Sequence, residues 1–368
     1  MAAQRLYFLD NLKTCIIILM VIFHAAMSYM AYAPEWWYVV DGTQTMTGLL
    51  FVLWADVFIM PVMFFVAGYF TPSSLSRHGP ARFWRQKGIH IALPWVAGSL
   101  FLAPYIAYLT IASRDLPMSF WDFYTTLFWG VFYQQGHYWF LGFLLALYIL
   151  FYIVSRISPA LLMPHDSHAV PMGYALGLVL VISTISMAVI NGFISDDAWI
   201  HPAYVLVFQP TRAPLYIAYF FLGAYAWRHH WFTKRTPIEW GPWVGAFLLT
   251  TIAYVAFRLT SSGIIVHAVL HNLFCLSAVM AWVSFFQHYG NSAAPVWRLA
   301  AALSYPVYFI HQFAVQHLVW VLRLTGWPVG VKYIVVCVVS LVISGLISKY
   351  VLLRLPCFYR NETNMNRT

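Results

Sequence analysis

A chain of 368 residues that is 62% hydrophobic and only 8% charged, with a mean hydropathy of +0.73, is not a soluble domain, in which charged residues make up about a quarter. Its length accommodates about ten spans of roughly 20 residues and leaves no room for a sizeable domain outside the membrane, so function is expected inside the bundle. The net charge of +9 is scattered through short segments between apolar runs, which fits membrane topology and anionic head groups and argues against nucleic acid as a partner.

Hydropathy predicts helical spans over residues 12–30, 47–70, 89–112, 137–154, 172–193, 204–227, 240–257, 264–286, 299–322 and 331–353. The first run follows Asp10 and Lys13, is as long as a span and has no small-residue cleavage site behind it, so it is expected to be retained. The aromatic run WDFYTTLFWGVFY, residues 121–133, is too short to cross and is expected at the interface or as a re-entrant segment. Arg77, Arg82, Arg85 and Lys87 follow the second span and Arg228, Lys234 and Arg235 the sixth, whereas residues 31–46 hold no Lys or Arg. Positive loops face the cytoplasm, and an even number of spans then puts both termini there. Residues 1–353 are expected to form one membrane domain, and 354–368 a short, polar, disordered cytoplasmic tail. Neither a repeat of fixed period nor inverted halves are visible.

Ionisable residues inside apolar runs are costly, and each asks for a partner or a purpose. On an ideal helix Asp10, Lys13 and His24 share one stripe, with His24 roughly 16 Å from Lys13, near the middle of a bilayer if Lys13 marks its edge. Asp56 in the second span and Arg212 in the sixth are buried charges by the same logic, and they are candidates either to bind substrate or to pair with each other. His267 and His271, at i and i+4, can present two ligands on one helix face, but no third ligand is placed and Asn272 is a plain polar neighbour. The cysteines Cys15, Cys275, Cys337 and Cys357 show neither CxxC nor zinc-type spacing. No metal site is expected.

Five stretches, in order, carry a family resemblance: LDNLKTCIIILMVIFH (9–24), MPVMFFVAGYF (60–70), FWRQKGIHIALPW (83–95), HYWFLGFLLALYILF (137–151) and LSYPVYFIHQ (303–312). Together they resemble the acyltransferase-3 family of integral-membrane acyltransferases. In that family a basic residue stands eleven positions before the histidine of the first span; here Lys13 replaces the usual arginine. Lys87 and His90 occupy an Arg-x-x-Arg element before Pro94, and Ala67-Gly68 stands for Ser-Gly. A lysine offers phosphate a point charge without the bidentate fork of arginine.

The resemblance implies an all-α bundle that moves an acyl group from cytoplasmic acyl-CoA, with acetyl-CoA or succinyl-CoA as the expected donor, to a carbohydrate or similar hydroxyl across the membrane. It implies His24 as general base, a role that imidazole suits near neutral pH. Asp10 is expected to orient a network with Lys13 or to cap the first helix. Lys13, Arg82, Arg85, Lys87 and His90 are expected to hold the donor's phosphates. Asp56, Trp139, Arg212, Tyr305 and His311 are expected to line the cavity. The lipid bilayer, and in a bacterium the inner membrane, is the expected setting, with self-association left open. Two other readings use the same residues: a proton or solute path through His24, Asp56 and Arg212, and a non-catalytic membrane scaffold.

Overall fold

The computed structural model describes residues 5–165, 172–233 and 237–359; Lys234, Arg235 and the tail beyond 359 lie outside the described residues. The helices are α1 (Tyr7–Met27), α2 (Met46–Ala55), α3 (Ile59–Lys87), α4 (Leu93–Ala97), α5 (Ala103–Ala112), α6 (Phe120–Asp122), α7 (Trp139–Ile157), α8 (Met172–Asn191), α9 (Ala213–Arg228), α10 (Trp240–Thr260), α11 (Ile264–Tyr289), α12 (Pro295–Leu322) and α13 (Val329–Tyr350). The protein is a multi-pass, all-α membrane protein. Seven helical stretches among the described residues are long and apolar enough to cross a bilayer.

The ten expected runs map onto this set with three differences. The second and third fuse into one helical stretch, Met46–Ala112. The sixth shortens to Ala213–Arg228, because residues before it form a loop that folds back, and 16 residues are too few to span. The ninth is α12, full length but diluted by His311, Gln312, Gln316 and His317. The aromatic run 121–133 forms one short turn of α-helix and a π-helical turn, whose Phe123 and Phe128 pack with Ala107 and Ile111 as a small satellite core. Of the expected tail 354–368, Phe358 is buried against Tyr305 and Phe309, and residues beyond 359 lie outside the described residues.

α1 is central, touching α2, α3, α11, α12 and α13. Its start is tied to the α11–α12 turn by Asn11, whose amide donates to the carbonyls of Gly290 at 2.7 Å and Ser292 at 2.9 Å. α3 and α9 pack backbone to backbone: a Cβ on Gly68 would overlap the carbonyl of Phe220, and one on Gly223 that of Phe65. Small residues permit such close seams where lipid supplies no hydrophobic driving force.

The chain from Pro80 to Ala112 starts at Gly79, whose φ of +69° breaks the preceding helix, and contains π-helical turns at Gly88–Ala92 and Gly98–Leu102. Pro94 has no N–H for the carbonyl four residues before it, that of His90. The hydroxyl of Tyr305 donates to that carbonyl instead, at 2.6 Å.

At the other end of α1, residues 28–45 fold over the helix end as a strap. Its ends are stitched by Ala31 N–H to Thr45 O at 2.9 Å and Thr45 N–H to Tyr29 O at 2.8 Å. Lys332 of α13 holds the buried Asp41 at 2.9 Å, and Arg114 donates to the carbonyls of Glu35 and Tyr38.

Candidate active site

Three histidines from distant parts of the chain meet beneath the strap. His24 lies in the last turn of α1, because the helix starts at Tyr7 and ends at Met27; it is therefore nearer the helix end than its middle. His311 sits on α12, and His137 in the 3-10 turn that opens α7. His24 Nδ1 lies 2.7 Å from His311 Nε2, with the rings stacked at 5.0 Å and 12°. The His137 ring is 4.7 Å from that of His311 and 6.2 Å from that of His24.

The proton positions follow from one fixed acceptor. His311 Nδ1 faces the carbonyl of Tyr308 at 2.7 Å, and a carbonyl only accepts, so the proton sits on Nδ1. A neutral His311 then accepts at Nε2, and His24 donates from Nδ1. The lone pair of His24 is left on Nε2. His311 is fully buried, whereas His24 is only partly so, which makes His24 the member of the pair that an incoming group reaches.

The surroundings hold this geometry. The carbonyl of Phe309 accepts from the Tyr138 hydroxyl at 2.7 Å and from His137 Nε2 at 3.2 Å, while the Tyr308 hydroxyl donates to His137 O at 2.5 Å. These bonds lock the start of α7 to α12. Trp37 of the strap lies 5.9 Å from the His24 ring at 31°, and its indole N–H is pinned to Ser28 Oγ at 3.0 Å. Trp37 is thus the aromatic side chain of the strap that lies beside the His24 ring.

Asp56 sits in the break between α2 and α3, and its carboxylate meets Arg212 Nη1 at 2.5 Å. Arg212 also lies 3.9 Å from Asp196, whose backbone carbonyl accepts from Gln209 and Thr211. Burial pushes the Asp196 carboxyl up, but Arg212, His271, His267 and Arg258 outweigh it and hold the group below the usual carboxylate range. Trp139 packs on Trp199 at 5.3 Å and on Tyr216, one turn into α9, at 5.7 Å. Trp139, Asp56 and Arg212 thus form one neighbourhood through Tyr216.

The remaining expected residues gather elsewhere. Asp10 is in the first turn of α1, paired with Arg5 at 2.9 Å and Lys13 at 3.5 Å. Fourteen residues of helix separate it from His24, roughly 21 Å, so Asp10 is not near His24; it sits in the first turn, where its charge suits the helix dipole, while the N-cap is Leu6. Arg82 and Arg85 are exposed. Lys87 instead places its ammonium over the rings of Tyr148 and Phe83, at 4.1 and 5.1 Å. His90 Nδ1 donates to Cys357 O at 2.8 Å, and Tyr305 is engaged with His90 rather than with His24. Among the described residues no three His, Cys, Asp or Glu side chains form a metal site.

His137 was not singled out from the sequence, although it stands two residues before Trp139 in a motif stretch. The buried Lys332–Asp41 pair was missed as well, its members being 291 positions apart.

A family profile described as an acyltransferase domain, that of the acyltransferase-3 family, matches residues 6–349. Glucans biosynthesis protein C of Escherichia coli serotype O139 is 26% identical over 269 residues, covering 70% of this chain and 66% of that protein. The protein of the same name from Escherichia coli O81 is 26% identical over 267 residues, with the same coverage. The aligned part thus spans just under two thirds of these relatives' length. No solved structure matches.

Proposed function

The chain belongs to the acyltransferase-3 family, and from that premise we propose that it is a membrane-bound O-acyltransferase that moves an acyl group from cytoplasmic acyl-CoA to a carbohydrate hydroxyl. His24 is the general base. The observation that carries this reading is the hydrogen bond of 2.7 Å between His24 Nδ1 and His311 Nε2, which leaves the free lone pair on Nε2 of the partly exposed His24.

In the reaction, the acceptor hydroxyl approaches His24 Nε2 and its oxygen attacks the thioester carbonyl as the proton passes to Nε2. The tetrahedral oxyanion collapses, the C–S bond breaks, and the CoA thiolate takes the proton back from Nε2. Atoms and charge balance, and no proton is released. His311 acts as a positioning residue by holding the Nδ1–H of His24, and Trp37 lies against the transient imidazolium. The donor's phosphates dock on the cytoplasmic side, where Arg82 and Arg85 are exposed, with Lys13 close to that end of the bundle. Lys87 and His90 shape this mouth from inside, through aromatic and backbone contacts. The acceptor enters from the end of the bundle that bears the strap, past Asp56, Arg212 and Trp139. The relatives' name supports a glucan as the first acceptor to try.

The test is mass spectrometry of a soluble glucan oligosaccharide after incubation with the protein in proteoliposomes and acetyl-CoA or succinyl-CoA. The wild type is expected to add an acyl mass to the glucan, and His24→Ala to add none while eluting and melting as a folded protein. Wild-type turnover by a folded His24→Ala protein sinks the mechanism. Solute flux that needs no acyl-CoA points to the transport reading, and absence of thermal stabilisation by acyl-CoA points to the scaffold reading.

A further inference from the structure

A second polar site lies around Arg212 and His271, built from the loop before α9 and from α10 and α11. His267 Nε2 is 3.9 Å from Asp196 Oδ2 and 3.4 Å from Arg258 Nη1, and the His267 and His271 rings are 5.7 Å apart. The Tyr254 ring closes the group, 5.7 Å from His271.

Several atoms here have no hydrogen-bond partner among the described residues: both ring nitrogens of His271, Arg212 Nε and Asp196 Oδ1. His271 is 0% and Arg212 7% exposed. Each such buried atom is destabilising unless something meets it, so a cluster of them calls for a partner from outside the chain.

The orphan atoms specify the partner's chemistry. Arg212 and Arg258 are balanced by Asp56 and Asp196, so no excess charge remains to hold an ion. An anion only accepts, which leaves Asp196 Oδ1 unmet; a cation only donates, which leaves Arg212 Nε–H and the N–H of a neutral His271 unmet. A group that both donates and accepts meets both sets, and a sugar hydroxyl is such a group. The site adjoins Tyr216, Trp139 and Trp199, and Trp139 follows His137 of the histidine cluster by two residues.

We propose that this is a subsite for a sugar unit of the acceptor other than the one being acylated, so that the preferred acceptor is an oligosaccharide rather than a monosaccharide. This rests on the acyltransferase reading. One sugar presents its hydroxyl to His24 beyond the aromatic wall, while a neighbouring unit is held by Arg212, Asp196 and His271.

The experiment compares acyl transfer to a soluble glucan oligosaccharide and to glucose in the wild type, His271→Leu and His271→Gln. His271→Leu is expected to raise the oligosaccharide KM roughly tenfold, the scale of one or two lost hydrogen bonds, with the KM for acyl-CoA unchanged. His271→Gln, which keeps a donor and an acceptor, is expected to recover most of it. An oligosaccharide KM that stays at the wild-type value in His271→Leu, while transfer proceeds, overturns the subsite and leaves the acyltransferase reading standing. If His271→Leu does not fold, wild-type melting decides: protection by the oligosaccharide well above that by glucose at equal concentration supports the subsite, and equal protection overturns it. Absence of transfer to any glucan by the wild type fails the acyltransferase reading itself.

Discussion

Two of the histidine pairs among the described residues contrast with each other. His24 and His311 come from helices far apart in sequence and share a hydrogen bond of 2.7 Å; His267 and His271 lie one turn apart on α11, with ring centres at 5.7 Å and no such bond. The first pair hangs on the carbonyl of Tyr308, so every proton has an assigned place. The second borders Asp196 and Arg258 and leaves His271 without a partner on either nitrogen among the described residues. Both pairs belong to apolar helices, and that alone does not separate the proposed base from the proposed binding group. What separates them is whether the chain itself fixes the tautomer.

Each pair also has an ion pair beside it, one sealed and one half-open, and these respond differently to mutation. Lys332 and Asp41 are 4% and 1% exposed in their side chains, and they clamp the strap that carries Trp37 over His24. Lys332→Met strands Asp41 and is expected to cost about 4 kcal/mol, read as a large drop in melting temperature in detergent, with most of it restored by adding Asp41→Asn. A variant that melts with the wild type removes the strap from the description of the first region.

The next effect in size is catalytic. His311→Ala frees Nδ1 of His24 and lets the proton move to Nε2, so kcat is expected to fall roughly a hundredfold, the low end of general-base contributions. His267→Ala leaves this chain of hydrogen bonds intact and is expected to leave kcat near wild type. Equal losses in the two variants, measured as initial rates at saturating donor, erase the distinction between the pairs.

Asp56 differs from Asp41 in being 38% exposed, and its partner Arg212 retains Asp196 at 3.9 Å. Asp56→Asn is therefore expected to cost only about 1 kcal/mol, well below the Lys332 variant. A loss as large as that of Lys332→Met contradicts the contrast between a sealed and a half-open ion pair.

How much of this was legible in sequence follows the same division. Apolar runs located most helices, since backbone satisfaction in lipid leaves few alternatives. His24, Asp56 and Arg212 stood out because a charge or imidazole in an apolar run is conspicuous by itself. His311 was visible only as part of a motif, and His137 not at all, because each takes its meaning from a contact across more than a hundred residues. The same holds for Lys332, which sits near a helix start and looks like an ordinary flanking lysine until Asp41 is brought to it. Asp10 misled for the opposite reason: a shared helix stripe places residues on one face but says nothing of the roughly 21 Å along the axis.

The smallest expected effect falls at the opposite end of the bundle, far from both pairs. Arg82 and Arg85 are exposed, so their interaction with the donor's phosphates is worth at most about 1 kcal/mol each, or roughly fivefold in KM. Arg82→Ala and Arg85→Ala are each expected to raise the KM for acyl-CoA by up to that factor at low salt and by less as salt screens the mouth. Neither changes kcat or moves melting by more than about 0.5 kcal/mol in stability, because no buried group loses its partner. Because Lys87 and His90 are engaged with Tyr148 and Cys357, their alanine variants instead disturb packing and change KM and stability together. A salt-independent KM in the arginine variants, or a fall in kcat, separates these arginines from the donor's charge and moves the docking site elsewhere on that face.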